Sequence, residues 1–89
     1  MRALSIDVYG RVQGVGFRFF IYKKALECNV KGFVKNMPDG SVSIEVQGDE
    51  DDINRFLVYC HQGPPMSRVT EVKVGEIPPQ DFGDFTIKR

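Results

Sequence analysis

The stretch from Val8 to Phe20 constrains this chain most, because an alternating strand gives way to a helical pattern across three glycines. Two of them, Gly14 and Gly16, allow positive φ and a close approach of the backbone to a ligand. No Ser, Thr, Asp or Asn precedes the helix to accept bonds from its first N–H groups, which have no partners inside a helix. Arg18 places a cation at the positive end of the helix dipole, which is unfavourable by about 0.3–1 kcal/mol. Together these features predict an anion-binding loop.

Composition and charge argue against several classes of function. The 89 residues predict one domain, residues 1–89, with one core. Twelve basic and twelve acidic side chains give a formal net charge of zero, whereas general nucleic-acid binders carry a basic excess. No apolar run approaches the roughly 20 residues that span a bilayer, and the N-terminus lacks the apolar segment of a signal peptide. We therefore expect a cytoplasmic protein that binds neither nucleic acid nor membrane.

The reactive side chains form no recognisable cluster in the sequence. Cys28 and Cys60 fall at apolar positions of predicted helices and are expected to be buried thiols. His61, near a helix end, is expected to be solvated, and the acidic run 49–52 is interpreted as a capped helix start. Ser67 has no recognisable base, so no nucleophilic triad is predicted. We expect no metal and no cofactor.

Hydrophobic periodicity predicts the order β-α-β-β-α-β followed by a short terminal strand. Asn29 is expected to end the first helix in a left-handed conformation, and the Pro38-Asp39-Gly40 turn to join two strands into a hairpin. Val72 and Val74 are expected to face inward from the fourth strand. The predicted elements are a strand around 4–9, a helix over 17–28, strands over 31–37 and 41–47, a helix capped by Asp49 and ending at 61 or 62, and strands over 68–75 and 85–88. One sheet with two helices on one face gives a two-layer α+β sandwich.

Two motifs resemble the signatures of a known family. The segment Gly10-Arg11-Val12-Gln13-Gly14-Val15-Gly16-Phe17-Arg18 resembles the signature of the acylphosphatases, and Lys31-Gly32-Phe33-Val34-Lys35-Asn36 resembles their second signature. The likeness continues, in order and with compatible spacing, through Pro38-Asp39-Gly40, Gly48-Asp49, Gly63-Pro64-Pro65 and Phe85-Thr86-Ile87. Two separate motifs in a chain of matching length are more specific than a lone glycine-rich loop.

The resemblance implies a metal-independent hydrolase that cleaves acyl phosphates into carboxylate and inorganic phosphate without a covalent phosphoenzyme. It implies a ferredoxin-like sandwich with strand order 4-1-3-2-5, the last strand extending the edge. Within the motifs, the family's catalytic arginine and asparagine fall on Arg18 and Asn36. The expected partners are a small-molecule acyl phosphate and inorganic phosphate, which is both product and competitive ligand. We expect a monomer.

A mechanism can be predicted from these residue types. Backbone N–H groups of Gly14, Val15, Gly16 and Phe17 are expected to hold phosphate oxygens, and Arg18 to add a planar fork of donors. Asn36 is expected to orient the attacking water, although an amide is too weak a base to deprotonate it. From the residues alone, Asn36 is equally well interpreted as a turn former before Pro38-Asp39-Gly40.

Three alternatives share this predicted fold. An RNA-recognition module has the same element order, but it carries stacking aromatics on strands one and three. Here strand three offers Ser43, Glu45 and Gln47 on that face, and only Tyr9 and Phe33 are candidate stacking residues. The second alternative is a non-catalytic module that binds a small anion. The third is a domain acting on carbamoyl phosphate inside a larger maturation enzyme, although the closing strand near the last residue favours a free-standing domain.

Overall fold

The computed structural model describes residues 1–89 as one five-stranded sheet and two helices. The elements are β1 (Arg2–Arg11), α1 (Phe17–Glu27), β2 (Lys31–Asn36), β3 (Val42–Gly48), α2 (Glu50–Gln62), β4 (Arg68–Glu76) and β5 (Phe85–Lys88). The strand order is β4-β1-β3-β2-β5. Only the β2–β5 pair is parallel. The predicted ferredoxin-like sandwich with order 4-1-3-2-5 is confirmed.

The core lies between the sheet and the two helices. Alternate residues of β1 and β3 are buried, and Ile6, Ile44 and Val34 lie side by side across three neighbouring strands. Helix α1 packs on β2, β5 and α2, while α2 packs on β4, β1 and β3. The helices bury Phe17, Ile21 and Ala25 of α1, and Ile53, Phe56 and Cys60 of α2. The alternating apolar residues of the strands and the helically spaced apolar residues of the helices therefore pack together in one continuous core.

Helix α1 is ended by a left-handed Asn29, as the sequence predicts, although its last residue is Glu27 and not the expected residue 28. Asn29 has a φ of 57°, the left-handed conformation. Its N–H donates to the Leu26 carbonyl, and the N–H of Val30 donates to the Ala25 carbonyl. These two bonds form a Schellman motif, and the buried Val30 supplies the accompanying hydrophobic contact.

Two local expectations need correction. Val74 pairs with buried Ile6 and so lies on the helix side of the sheet, but it is 47% exposed rather than inward. Strand β4 is at the edge of the sheet. An alternating apolar pattern there shows which face Val74 is on, but not whether a helix covers it. Asp49 precedes α2 as expected, but its side chain makes no capping hydrogen bond.

The segment 77–84 crosses the sheet face opposite the helices. The N–H of Ile77 donates to the Ala3 carbonyl, and Gln80 bonds to the Gln47 and Glu45 side chains. Further on, the ring of Phe82 packs edge-on against Phe33. This face is thus partly covered before β5 begins. Neither helix is both long and apolar enough to cross a membrane.

Candidate active site

The loop between β1 and α1 depends on left-handed glycines. Gly14 and Gly16 have φ values of 73° and 77°, a region where a side chain is strained. An added Cβ at either position would meet no atom within 4 Å, so the backbone conformation, and not crowding, requires glycine there. Gly16 is the N-cap of α1, with no side-chain capping bond and no acidic residue in the first turn. The helix therefore starts uncapped.

The first N–H groups of α1 have no acceptor within the protein. The first backbone bond of the helix runs from the Phe20 N–H to the Gly16 carbonyl at 3.0 Å. The N–H groups of Phe17, Arg18 and Phe19 precede it and make no bond to backbone or side chain. Such donors at the positive end of a helix dipole bind anions.

These donors open into a depression of about 220 Å³. Its lining comes from the glycine loop, the first turn of α1, the end of β2 and the last strand. The lining residues are Val12, Gly14, Gly16, Phe17, Arg18, Phe19, Asn36 and Ile87. The structure thus brings the two expected catalytic residues and three of the four loop residues to one place. Val15, the fourth, is half-buried and packs against the core.

The side chain of Arg18 is held by the last strand. Its Nη1 donates to the Lys88 backbone carbonyl at 3.0 Å. Arg18 takes part in none of the ion pairs of the structure. Its positive charge is therefore not neutralised by a carboxylate of the protein and can act on an anion in the depression.

Asn36 is the last residue of β2 and is half-buried, with Val42 as its neighbour across the hairpin. No hydrogen bond within the protein involves its side-chain amide. If Asn36 served only to form the following turn, its side-chain amide would hydrogen-bond to nearby backbone groups. Here the turn is stabilised by other residues, and the amide is free to bind a ligand.

Sequence reasoning gave no role to Gln13, which joins the two halves of the site. Its Nε2 donates to the Met37 carbonyl at 2.8 Å and to the Ser41 carbonyl at 2.9 Å. The glycine loop is thereby tied to the β2–β3 turn, directly after Asn36. The acceptors are backbone groups 24 and 28 residues away, so no local pattern points to them.

The β2–β3 turn is itself locked by Asp39. Its Oδ1 accepts bonds from the Ser41 hydroxyl at 2.6 Å and the Ser41 N–H at 2.9 Å. These bonds, the hydroxyl first, lower the pKa of the Asp39 carboxyl. The N–H of Gly40 completes the turn by donating to Met37. Ser41, and with it the carbonyl that Gln13 binds, is held in place by this turn.

The depression contains no strong acid, base or nucleophile. None of its lining residues is a carboxylate, a histidine or a cysteine. Cys28 and Cys60 are buried and unbonded, and burial raises the pKa of both thiols, as expected for inert buried cysteines. His61 is exposed at the far end of α2, and nowhere do three His, Cys, Asp or Glu residues gather as metal ligands would. The site presents unpaired backbone N–H donors, one guanidinium and one neutral amide.

Comparison with known proteins gives one consistent result. A sequence model of the acylphosphatase family matches residues 4–87. An acylphosphatase from Thermotoga maritima is 52% identical over 88 residues, which cover 99% of this chain and 98% of the relative. The crystal structure of acylphosphatase from Bacillus subtilis superimposes with a TM-score of 0.96 at 38% identity, over all of both chains. The structure of T. kodakarensis HypF matches all of this chain, with a TM-score of 0.88 and 42% identity, through only 12% of its own length.

Proposed function

The chain belongs to the acylphosphatase family, and we propose that it hydrolyses acyl phosphates to a carboxylate and inorganic phosphate. The observation that carries the proposal is one depression lined by the first turn of α1, whose first N–H groups have no partner, and by Arg18 and Asn36. An acyl phosphate is an anion with a good leaving group. It therefore needs binding and positioning more than it needs a strong base.

The phosphate group is held by the loop before α1 and by the first residue of that helix in this proposal. The N–H groups of Gly14, Val15, Gly16 and Phe17 donate to its oxygens, as a helix N-terminus with unpaired donors can. Arg18 adds charge-assisted bonds to the same oxygens. Phosphoryl transfer is accelerated mainly by positioning and electrostatic stabilisation, and these groups supply both.

Asn36 positions the attacking water. Its side-chain oxygen accepts a hydrogen bond from the water, and its N–H₂ group can donate to a phosphate oxygen. A bond forms between the water oxygen and phosphorus while the bond from phosphorus to the acyl oxygen breaks, and the electron pair leaves with the carboxylate. The water proton passes to a phosphate oxygen or to the departing carboxylate, since no lining residue is a base.

The proposed reaction uses groups of a single chain. The depression is lined by the glycine loop, the first turn of α1, the end of β2 and β5, and these supply every group that the mechanism invokes. Positive charge comes from Arg18 and the helix, and for this reason we propose that the reaction proceeds without a metal ion. The acyl phosphate and inorganic phosphate are the only partners that the mechanism needs.

The two alternatives of different class receive less support. A module that only binds an anion is less well supported, because full-length relatives of this chain are named acylphosphatases. An RNA-recognition module needs free aromatic rings on the open sheet face, but segment 77–84 crosses that face. Phe33 there is occupied by Phe82 and by the Lys88 ammonium, 4.0 Å from its ring centre.

The proposal is tested by measuring the loss of acetyl phosphate in the presence of a chelator, with inorganic phosphate added as a competitor. We expect catalysed hydrolysis that survives the chelator and is competitively inhibited by phosphate. A phosphate monoester, which has a poorer leaving group, serves as the control and should be hydrolysed far more slowly. If acetyl phosphate disappears no faster than in buffer, the protein does not have the proposed activity. If the chelator abolishes the activity, the metal-free mechanism is wrong.

A further inference from the structure

Two of the apolar side chains that line the depression are exposed. Phe19, in the first turn of α1, is 60% exposed, and Ile87, in β5, is 39% exposed. Both line the same depression as Arg18 and Asn36. The two other apolar lining residues, Val12 and Phe17, are buried and form part of the core. Phe19 and Ile87 are therefore the apolar residues of the site that a bound molecule can cover.

The ring of Phe19 is held in place although it is exposed. It stacks on Tyr22, with ring centres 6.5 Å apart and an interplanar angle of 24°. The ammonium of Lys23 lies 5.6 Å from the ring centre. These neighbours, three and four residues along the helix, favour the orientation that the ring has in this structure. A restrained aromatic ring loses little conformational freedom when it binds a ligand.

We propose that Phe19 and Ile87 form the subsite for the acyl group, and that the enzyme favours acyl phosphates whose acyl group is aromatic or otherwise large and apolar. The inference rests on the proposed function, because it assumes that the phosphate occupies the N–H groups and Arg18. With the phosphate there, the acyl group can reach Phe19 and Ile87, because both line the same depression. A large apolar acyl group that covers Phe19 and Ile87 removes apolar surface from water, which favours binding. A small acyl group removes less of this surface.

This subsite acts on binding and not on the chemical step. Phe19 and Ile87 bear no group that interacts with the developing charge, so they stabilise the bound substrate and the transition state alike. Such uniform binding changes KM and leaves kcat largely as it is. Truncating a residue of the subsite should therefore raise KM for an aromatic substrate more than for acetyl phosphate.

The test compares kcat/KM for benzoyl phosphate and acetyl phosphate in the wild type, Phe19→Ala, Ile87→Ala and Leu26→Ala. Leu26 is the matched control, because it lies on the same helix and is 57% exposed but does not line the depression. We expect Phe19→Ala to lower the ratio of benzoyl to acetyl kcat/KM by about 3- to 10-fold, mainly through KM. Ile87→Ala should lower the ratio less, and Leu26→Ala should keep the wild-type ratio.

The outcomes separate the subsite from the activity itself. If the wild type hydrolyses neither substrate, the proposed function fails. If it hydrolyses both and neither Phe19→Ala nor Ile87→Ala alters the ratio relative to Leu26→Ala, the acyl subsite is wrong and the proposed function stands. A fall in kcat for both substrates alike in Phe19→Ala would also contradict the subsite, because it would indicate a disturbed helix terminus.

Discussion

The side-chain nitrogen of Gln13 lies 2.8 Å from the backbone oxygen of Met37, and this bond joins the loop before α1 to the residue that directly follows Asn36. The same nitrogen also donates to the backbone oxygen of Ser41, which adds a second bond between the two segments. The two halves of the proposed site come from elements that are distant in sequence, so their relative position depends on such a connection. We therefore expect Gln13 to act as a positioning residue, and its replacement tests whether the two halves must be held together.

We expect Gln13→Glu to impair both folding stability and turnover. A glutamate has nearly the same shape, but its ionised carboxylate cannot donate to the two carbonyl oxygens and is repelled by them. Loss of two hydrogen bonds should lower the free energy of unfolding by about 1–3 kcal/mol. Misplacement of the loop relative to Asn36 should reduce kcat by up to about 10²-fold.

Denaturant unfolding and steady-state kinetics measure the two effects of Gln13→Glu, with Gln80→Glu as the control. Gln80 also bonds through its side chain, to Glu45, but on the opposite face of the sheet. If Gln13→Glu kept wild-type stability and kcat, Gln13 would not position the site.

Gly16→Ala should destabilise the protein through its backbone alone. At a φ of 77° alanine is strained by about 1–2 kcal/mol, although its Cβ would meet no other atom within 4 Å. Gly75→Ala is the matched control, because Gly75 has equally open surroundings without a positive φ. Thermal or denaturant unfolding of the two variants gives the comparison, and equal stabilities would mean that the loop does not need the left-handed conformation.

Asp39→Asn should destabilise the fold in a pH-dependent way. The hydrogen bonds from Ser41 lower the pKa of the Asp39 carboxyl from its ordinary value of 3.8. A lowered carboxyl pKa contributes stability above pH 3.8, and this contribution is lost as the pH falls through the folded-state value. The difference in unfolding free energy between wild type and variant should therefore be present at neutral pH and shrink in acid. A difference that stays constant down to strongly acidic pH would show that the charge of Asp39 contributes nothing.

Asn36→Ala should reduce turnover and leave phosphate binding intact. The amide orients water in the proposed mechanism, while the helix terminus and Arg18 hold the phosphate. We expect kcat to fall by about 10²-fold or more, the effect of removing one positioned polar group, with an unchanged inhibition constant for phosphate. Asn36→Asp, which adds a negative charge at the same place, should weaken phosphate binding in contrast. If Asn36→Ala abolished phosphate binding but left the turnover of bound substrate intact, the water-positioning role would be wrong.

The fold could be predicted from the sequence because its signals are local. Alternation in β3 correctly assigned Val42, Ile44 and Val46 to the core, and the Pro38-Asp39-Gly40 turn set the hairpin. Alternation in β4 also placed Val74 on the correct face. It could not show that nothing covers Val74, because β4 is an edge strand. Period-two patterns identify faces, and burial depends on what packs against them.

The site was less predictable, since its parts meet only through tertiary structure. The uncapped glycines and Arg18 pointed to anion binding because all the evidence lies within one stretch of chain. For Asn36 the residues alone left a turn former equally possible, and the family resemblance was needed to single it out. No sequence pattern pointed to Gln13 or Phe19. The proposed role of Gln13 depends on the end of β2 lying beside the loop, and that of Phe19 depends on β5 lying beside the start of α1.

The rate of phosphate release from a synthetic acyl phosphate by Arg18→Ala tests the central claim most directly. The control is Arg55→Ala, which removes an arginine that is paired with Asp52 on α2 and does not line the depression. Loss of the charge and donor fork at Arg18 should lower kcat by about 10²–10³-fold, while Arg55→Ala should retain the wild-type rate. A near-wild-type rate in Arg18→Ala would contradict the assignment of the depression as the active site.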